Sequence, residues 1–107
     1  MANNQVQELS EKAFQEFVKE DLVLVDFFAD WCMPCLMMAP VIDELSEKFK
    51  GKIKFGKVDI EENQGLAQKF NVMSIPNFVL FRNGEKIEQF VGSMPPEEFE
   101  KKLEKFL

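Results

Sequence analysis

The stretch LVLVDFFADWCMPC, residues 22–35, decides how this chain folds. Residues 22–28 are nearly all apolar, as expected for a central strand that is covered on both faces. Cys32 and Cys35, the only two cysteines of the chain, follow at positions i and i+3, which share one face on the first turn of a helix. This spacing brings the sulfurs within reach of an unstrained bond, and the free N–H groups and dipole of a helix start stabilise a thiolate. The stretch therefore predicts a dithiol that closes to a disulfide and reopens.

Two other interpretations of the cysteine pair stay open. The pair could be a structural disulfide or two buried thiols, although a loop of two intervening residues gains little as a cross-link. A zinc or iron–sulfur site needs more ligands than the cysteines of one chain provide, so it could form only across a dimer.

Length and composition narrow the functional classes. With 107 residues, the chain is expected to form one domain over residues 1–107. The net charge of −6 argues against nucleic acid or an anionic membrane surface as a partner. The sequence contains no histidine, which excludes Cys–His and Ser–His–Asp arrangements and most zinc sites.

Two further observations predict a cytoplasmic protein. No apolar run reaches 18 residues, so a membrane span is not expected. Residues 1–7 are polar and lack the apolar middle of a signal peptide, although a chain whose signal had been removed would look the same. A close cysteine pair in an intracellular protein is typically catalytic or metal-binding.

Hydrophobic periodicity, capping residues and turn signals predict the elements along the chain. Asn83-Gly84 is a strong signal for a type I′ hairpin turn. The predicted strands are Val6–Leu9, Leu22–Phe28, Ile53–Val58, Asn77–Phe81 and Lys86–Val91; the predicted helices are residues 10–19, residues 32–49 with a kink at Pro40, Asn63–Phe70 and a last helix after Pro95-Pro96.

This order, β-α-β-α-β-α-β-β-α, predicts an α/β fold with a central mixed sheet and helices on both faces. A strand–helix–strand crossover makes the inner strands parallel, and the hairpin adds an antiparallel edge. In such sheets, sites collect at the carboxyl ends of the parallel strands. The cysteine pair falls there, directly after Phe28.

Over its whole length the chain resembles the thioredoxin family. The resemblance rests on an ordered set of motifs: Asp26-Phe27-Phe28-Ala29, Trp31-Cys32-x-Pro34-Cys35, Pro40, Lys57-Val58-Asp59, Ile75-Pro76, Asn83-Gly84 and Gly92. The resemblance implies the thioredoxin fold and the reduction of protein disulfides by dithiol–disulfide exchange.

The resemblance also assigns roles around the cysteines. Cys32, the cysteine nearest the helix start and nearest the solvent, is expected to be the nucleophile, and Cys35 the resolving thiol. Asp26 is an acid in a buried apolar strand, so its pKa should rise, and the resemblance makes it the proton-transfer group for Cys35. Lys57, on the neighbouring strand, is expected to tune Asp26. The alternative is a hydrogen-bonded structural Asp26 with a solvated Lys57.

A docking surface for substrate is the second expectation from the resemblance. The Ile75–Pro76 bond is expected to be cis, which leaves the backbone of Ile75 free to pair with a bound peptide as an added strand would. An ordinary trans proline is the alternative. Trp31, Gly92 and Ser93 would complete the surface, and the alternative for Trp31 is packing in the core.

The sequence departs from the family pattern at Met33, Leu36 and Ser74, where the family usually has Gly, Lys and Gly. The two residues between the cysteines, Met33 and Pro34, are a lever on redox behaviour in this fold. Met33 therefore makes the reduction potential an open question, and Leu36 removes a positive charge that could stabilise the thiolate.

Methionines are expected to cluster at the site. Met33, Met73 and Met94 should lie in or beside the active-site loops, where soft side chains suit a broad apolar docking patch. For Met37 and Met38, on the following helix, filling gaps in the core is the favoured alternative.

A pattern with the spacing of a phosphate-binding loop, Gly51-x-x-x-x-Gly56-Lys57, is misleading. The next residue is Val58 rather than Ser or Thr, and the pattern lies at the start of a strand. Phosphate binding is not expected.

The sequence thus predicts a protein-disulfide reductase that binds no cofactor. Its disulfide would be reduced by an external reductase, with electrons from NADPH through a flavoprotein, and the chain is expected to be a monomer. Two alternatives are a disulfide oxidase or isomerase whose potential Met33 has raised, and a binding subunit that uses the same surface without turnover.

Overall fold

The computed structural model describes residues 6–107. Residues 1–5 lie outside the described residues. They belong to the polar N-terminal segment on which the predicted location partly depends. Within the described range the elements are β1 Val6–Glu8, α1 Glu11–Phe17, β2 Leu22–Phe28, α2 Met33–Lys48, β3 Lys54–Asp59, α3 Gln64–Lys69, β4 Asn77–Arg82, β5 Glu85–Val91 and α4 Pro96–Glu104.

The strands form a mixed sheet in the order β1-β3-β2-β4-β5. Strand β3 runs parallel to both β1 and β2, whereas β4 is antiparallel to β2 and to β5. The predicted mixed sheet is confirmed, with one correction: β4 lies inside the sheet beside β2, so only β5 of the hairpin forms the edge.

Element bounds follow the predicted ones closely. Strand β2 has the predicted bounds, β3 begins and ends one residue later than predicted, and α1 ends at Phe17 instead of residue 19. Asn83 and Gly84 both have positive φ, 52° and 88°, which is the backbone that a type I′ turn requires. Pro40 lies inside a continuous α2, and the kink expected there stays a prediction.

Successive side chains of β2 point to opposite faces of the sheet, so they pack in two separate halves of the core. Leu22 and Leu24 pack with α2 and α4, and Val23, Val25 and Phe27 pack with α1 and α3. Helices therefore cover both faces, as predicted. Asp26 has the same parity as Leu22 and Leu24, so it lies on the face that carries α2.

The misleading glycine pattern has a structural explanation. Gly51, with a φ of +84°, lies in the turn after α2, and Gly56 lies within β3. A Cβ at Gly56 would meet Leu9 Cδ1 at 2.8 Å, so this glycine permits close packing of Leu9 against β3. Gly51 thus allows a positive φ in a turn, and Gly56 allows close packing. No helix begins directly after them, as a phosphate-binding loop requires.

Within residues 6–107, no helix combines the length and the hydrophobicity needed to cross a membrane.

Candidate active site

The cysteine pair begins helix α2, as the sequence predicts. Cys32 is the N-cap residue, and its Sγ accepts a hydrogen bond of 3.1 Å from the backbone N–H of Cys35. The two residues form a disulfide, with their Cα atoms 5.2 Å apart. Pro34 lies in the first turn, where the lack of an N–H leaves no helical hydrogen bond unmade. One sulfur thus accepts a helix-start N–H, the interaction that stabilises a thiolate.

Burial does not separate the two cysteines. We expected Cys32 to lie nearer the solvent than Cys35, but each residue is only 4% exposed. Both belong to a small cluster with Ala29, against which Ile60 and Ile75 pack. The difference between the cysteines is therefore their place in the helix: Cys32 is the cap, and Cys35 is inside the first turn.

Asp26 is a buried acid on the α2 face of β2. It is 7% exposed, and its Oδ1 has no hydrogen-bond partner within the described residues. Burial raises the pKa of Asp26 to about 7 from a usual value of 3.8, and the charge of Lys57 lowers it in part. The carboxyl can therefore exchange a proton at neutral pH. The alternative of a structural Asp26 held by hydrogen bonds is not supported at Oδ1, because this oxygen accepts none within the described residues.

Lys57 lies directly beside Asp26 in the sheet. The two residues are partners in the register of parallel strands β2 and β3. Lys57 is half-buried, and its Nζ lies 5.7 Å from the centroid of the Phe28 ring. Among the ion pairs of residues 6–107 there is none between Lys57 and Asp26, so Lys57 acts on the carboxyl through its field.

The loop before β4 has the predicted cis proline. The Ile75–Pro76 peptide bond is cis, and the Pro76 carbonyl accepts a hydrogen bond of 2.9 Å from the N–H of Gly92. Gly92 has a φ of +93°, a conformation that favours glycine. No hydrogen bond of residues 6–107 uses the backbone of Ile75, which packs against the cysteine cluster. An extended peptide could therefore pair with Ile75 beside the disulfide.

Exposed side chains lie in the segments next to the disulfide and to the cis proline. Trp31 and Met33 are both largely exposed, which excludes core packing for Trp31. Met73 is 93% exposed in the loop before the cis proline. Exposed Ser93 follows Gly92 in the loop that meets Pro76. These positions fit the predicted docking surface.

The other methionines divide between surface and core. Met37 is 73% exposed, so the favoured expectation that it fills the core is wrong, whereas Met38 is 3% exposed and does fill it. Adjacent residues on a helix point about 100° apart, and the sheet covers only one of these two directions. Met94 is half-buried and packs against the core under α2 and α4, so it contributes less to the surface than predicted.

Glu61 is a site residue that the sequence did not indicate. Its Oε2 accepts a hydrogen bond of 2.8 Å from the indole Nε1 of Trp31, and its N–H donates to Asp59 Oδ1 at 2.9 Å. These bonds hold the exposed indole against the loop after β3. The sequence offered one signal for Glu61: it follows the parallel strand β3, so it lies at the same sheet edge as the cysteine pair after β2.

Within the part of the chain that the structure describes, no group of three His, Cys, Asp or Glu side chains is arranged to hold a metal ion.

Comparison with known proteins gives consistent results. A family model described as Thioredoxin matches residues 5–105. A chloroplastic M-type thioredoxin of Spinacia oleracea is 41% identical over 108 aligned positions, which cover 99% of this chain and 60% of the relative. A thioredoxin of Synechocystis is 40% identical over 102 positions, covering 94% of this chain and 95% of the relative.

A solved structure supports the same relationship. A mutant thioredoxin from Halobacterium salinarum superposes with a TM-score of 0.88 at 31% identity, covering 99% of this chain and 94% of that chain. This chain thus spans nearly all of the Synechocystis and Halobacterium relatives but about three-fifths of the spinach protein.

Proposed function

The chain belongs to the thioredoxin family, and on this basis we propose that it is a thiol–disulfide oxidoreductase that reduces disulfides in other proteins. One observation carries the proposal: a disulfide at the start of a helix has a buried carboxylic acid, with a pKa of about 7, on the sheet face that carries that helix. A structural cross-link would need neither the helix start nor the acid.

The first step is attack by Cys32 on the target disulfide. In the reduced protein, the Cys32 thiolate is stabilised by the helix dipole and by the N–H that its sulfur already accepts. The thiolate forms a bond to one target sulfur, and the other target sulfur leaves as a thiolate that takes up a proton. The product is a mixed disulfide between Cys32 and the target.

The second step releases the target. Asp26 takes the proton of the Cys35 thiol, and the resulting thiolate attacks Cys32 Sγ. The Cys32–Cys35 disulfide forms, and the second target sulfur leaves in reduced form. A base with a pKa of about 7 suits this task, because it is partly ionised at neutral pH and can accept and return a proton. Lys57 favours the ionised form.

Substrate docks around the loop of Ile75 and Pro76. The unpaired backbone of Ile75 supports strand-like pairing with an extended segment of the target, which places the target disulfide next to Cys32. The apolar faces of Trp31, Met33 and Met73 supply contact area around it, together with Gly92 and Ser93 and, to a smaller extent, Met94. The occupant that this surface fits is thus a partly extended protein segment with apolar residues near its disulfide.

Regeneration needs electrons from outside the chain. We expect a separate thioredoxin reductase, NADPH-dependent and flavin-containing, to return Cys32 and Cys35 to the dithiol, with no cofactor bound to this chain. Met33 and Pro34, between the cysteines, tune the potential of the pair. A monomeric, cytoplasmic electron carrier is the form of the protein that we propose.

Trapping experiments test this function against that of a binding subunit. The variant Cys35→Ser should lose turnover of a protein disulfide and accumulate a mixed disulfide through Cys32, detected by mass spectrometry. The matched control Cys32→Ser should lose turnover without this adduct, because the nucleophile is gone. Full activity of Cys35→Ser, or equal adducts from both variants, would contradict the proposed mechanism.

A further inference from the structure

Within residues 6–107, three methionines on the helix that begins at the disulfide and in the cis-proline loop have exposed side chains. Met73 is 93% exposed, Met37 73% and Met33 64%, whereas Met38, the direct neighbour of Met37, is 3% exposed. Methionine is an apolar residue that is commonly buried. Exposed methionines offer contact area to a substrate, and their thioether sulfurs are also open to oxidation.

The fold holds these methionines outward. Met33 and Met37 are at positions i and i+4 of α2, so they are neighbours on the exposed face of the helix. Met73 lies in a loop that is held on both sides: the Val72 N–H donates to Ala67 O at 2.8 Å, and the Asn77 side chain donates to Ser74 O at 3.3 Å. The exposure of Met73 thus follows from an anchored backbone.

We propose that Met73, Met37 and Met33 are modification sites for hydroperoxides, and that their oxidation reduces docking of protein substrates. The sulfur attacks the peroxide O–O bond, and one oxygen becomes the sulfoxide oxygen. The other oxygen leaves as water when the oxidant is hydrogen peroxide and as an alcohol when it is an organic hydroperoxide. The sulfur is oxidised by two electrons and the peroxide is reduced. Rates should follow access to the sulfur, so that Met73 reacts first and Met38 last.

The consequence rests on the proposed function. A sulfoxide turns a flexible apolar side chain into a polar one, which removes the favourable burial of the methionine against an apolar substrate. Oxidation at Met73 and Met37, the two more exposed thioethers, leaves Cys32, Cys35 and Asp26 as they were. Only a sulfoxide at Met33, which lies between the cysteines, would also act on the potential of the pair. Reduction of a small disulfide, which touches little of the surface, should therefore persist while reduction of proteins weakens.

The test uses the intact protein in its disulfide form, in which the cysteines are protected from peroxide. The protein is treated with hydrogen peroxide, and the sulfoxide at each methionine is followed over time by peptide mass spectrometry. Turnover of insulin and of a small aromatic disulfide is then measured before and after treatment. A variant with Met33, Met37 and Met73 all changed to Leu is compared with its own untreated state, and Met38→Leu is the matched control.

The expected result has two parts. Sulfoxide should form at Met73 about fivefold or more faster than at Met38, and the KM for insulin should rise about fivefold to tenfold while turnover of the small disulfide changes less than about twofold. The triple Leu variant should resist this change, and Met38→Leu should be as sensitive as the parent.

Several results would overturn the inference. Equal oxidation of Met73 and Met38 would contradict the modification sites. An unchanged KM for insulin, despite sulfoxide at all three positions, would contradict the effect on docking. If the untreated protein reduced neither substrate, the proposed function itself would fail, and the effect on docking with it; the oxidation rates would still decide the sites.

Discussion

Two parts of the candidate site differ in burial and in how their residues are held. The inner part consists of Asp26, Lys57 and Cys35, where one buried acid has an oxygen without a hydrogen bond and a pKa of about 7. The outer rim consists of Trp31, Met33, Met37 and Met73, which are all more than half exposed. On the proposed function, the inner part gives up stability for proton transfer, whereas the rim provides contact area with little effect on folding. The inner part should therefore govern rates and pH dependence, and the rim should govern affinity.

The largest effect is expected at Asp26. A pKa of about 7 in the folded chain against 3.8 in the unfolded chain corresponds to about 4 kcal/mol of destabilisation at pH 8. The variant Asp26→Asn removes the ionisable group but keeps a polar side chain, so we expect its free energy of unfolding at pH 8 to rise by about 2 to 4 kcal/mol. Urea unfolding of the disulfide form measures it.

Asp59 provides the matched control. It is also 7% exposed, but its Oδ1 accepts the N–H of Glu61 at 2.9 Å. Because this carboxylate has a partner, Asp59→Asn should not stabilise the fold. Equal stabilisation by both variants would contradict the special position of Asp26.

The pH dependence of stability follows from the same group. Between about pH 4 and pH 7 the unfolded chain has lost the Asp26 proton and the folded chain still holds it. The contribution of Asp26 to the free energy of unfolding therefore falls as pH rises through this window, and it is constant above pH 7. In Asp26→Asn this fall should be missing, which urea unfolding at several pH values measures; the same slope in both proteins would count against the raised pKa.

A smaller effect is expected at Lys57. Its charge lowers the pKa of Asp26, so Lys57→Met should raise that pKa further and move the pH midpoint of protein-disulfide turnover upward by about one unit. Lys54→Met is the control on the same strand, since Lys54 pairs with Glu20 at 3.2 Å. Steady-state kinetics from about pH 5 to pH 9 measure the midpoint for each variant. Equal midpoints would show that Lys57 does not tune Asp26.

Changes on the rim should act on affinity. Replacing Met33 and Met73 by Gln keeps the length of both side chains but removes apolar contact, so the KM for protein substrates should rise about threefold to tenfold. Met73→Gln alone, which leaves the residues between the cysteines as they are, should raise the KM with little change in kcat. Leu107→Gln, at an exposed apolar residue on the C-terminus, is the control and should change neither constant. Unchanged KM values across several protein substrates would contradict the docking surface.

The smallest effect is expected at Glu61. Glu61→Ala removes an exposed hydrogen bond to the indole of Trp31, worth about 0.5 to 1 kcal/mol, so the KM for protein substrates should rise about twofold. Glu62→Ala, at the next exposed residue, is the control. The fluorescence of Trp31, the only tryptophan, gives a second readout, and an unchanged spectrum would show that Glu61 does not position the ring.

The inner part of the site could be predicted from the sequence because its signals are local. An acid inside the apolar run 22–28 must lie in a buried strand, and two cysteines after that strand must lie at a helix start. The paired hairpin turn at Asn83 and Gly84 is equally local. Each of these follows from neighbours within a few residues, where propensity and periodicity are decisive.

The rim could not be predicted to the same depth, because its geometry depends on contacts between distant segments. Leu36, Met37 and Met38 are all apolar, and only the rotation of α2 on the sheet decides that Met38 faces the core. The hydrogen bond from Trp31 to Glu61 joins residues 30 apart in sequence. The equal burial of Cys32 and Cys35 depends on Ile60 and Ile75, which come from two further loops.

The reduction potential of the Cys32–Cys35 pair tests the central claim most directly. It is measured by equilibration with defined ratios of reduced and oxidised dithiothreitol or glutathione, followed by quantification of free thiols. A disulfide reductase with this site should give about −270 mV, the value typical of thioredoxins. A value of about −180 mV or higher would contradict it, and would mean that Met33 has tuned the pair for oxidation or isomerisation of disulfides.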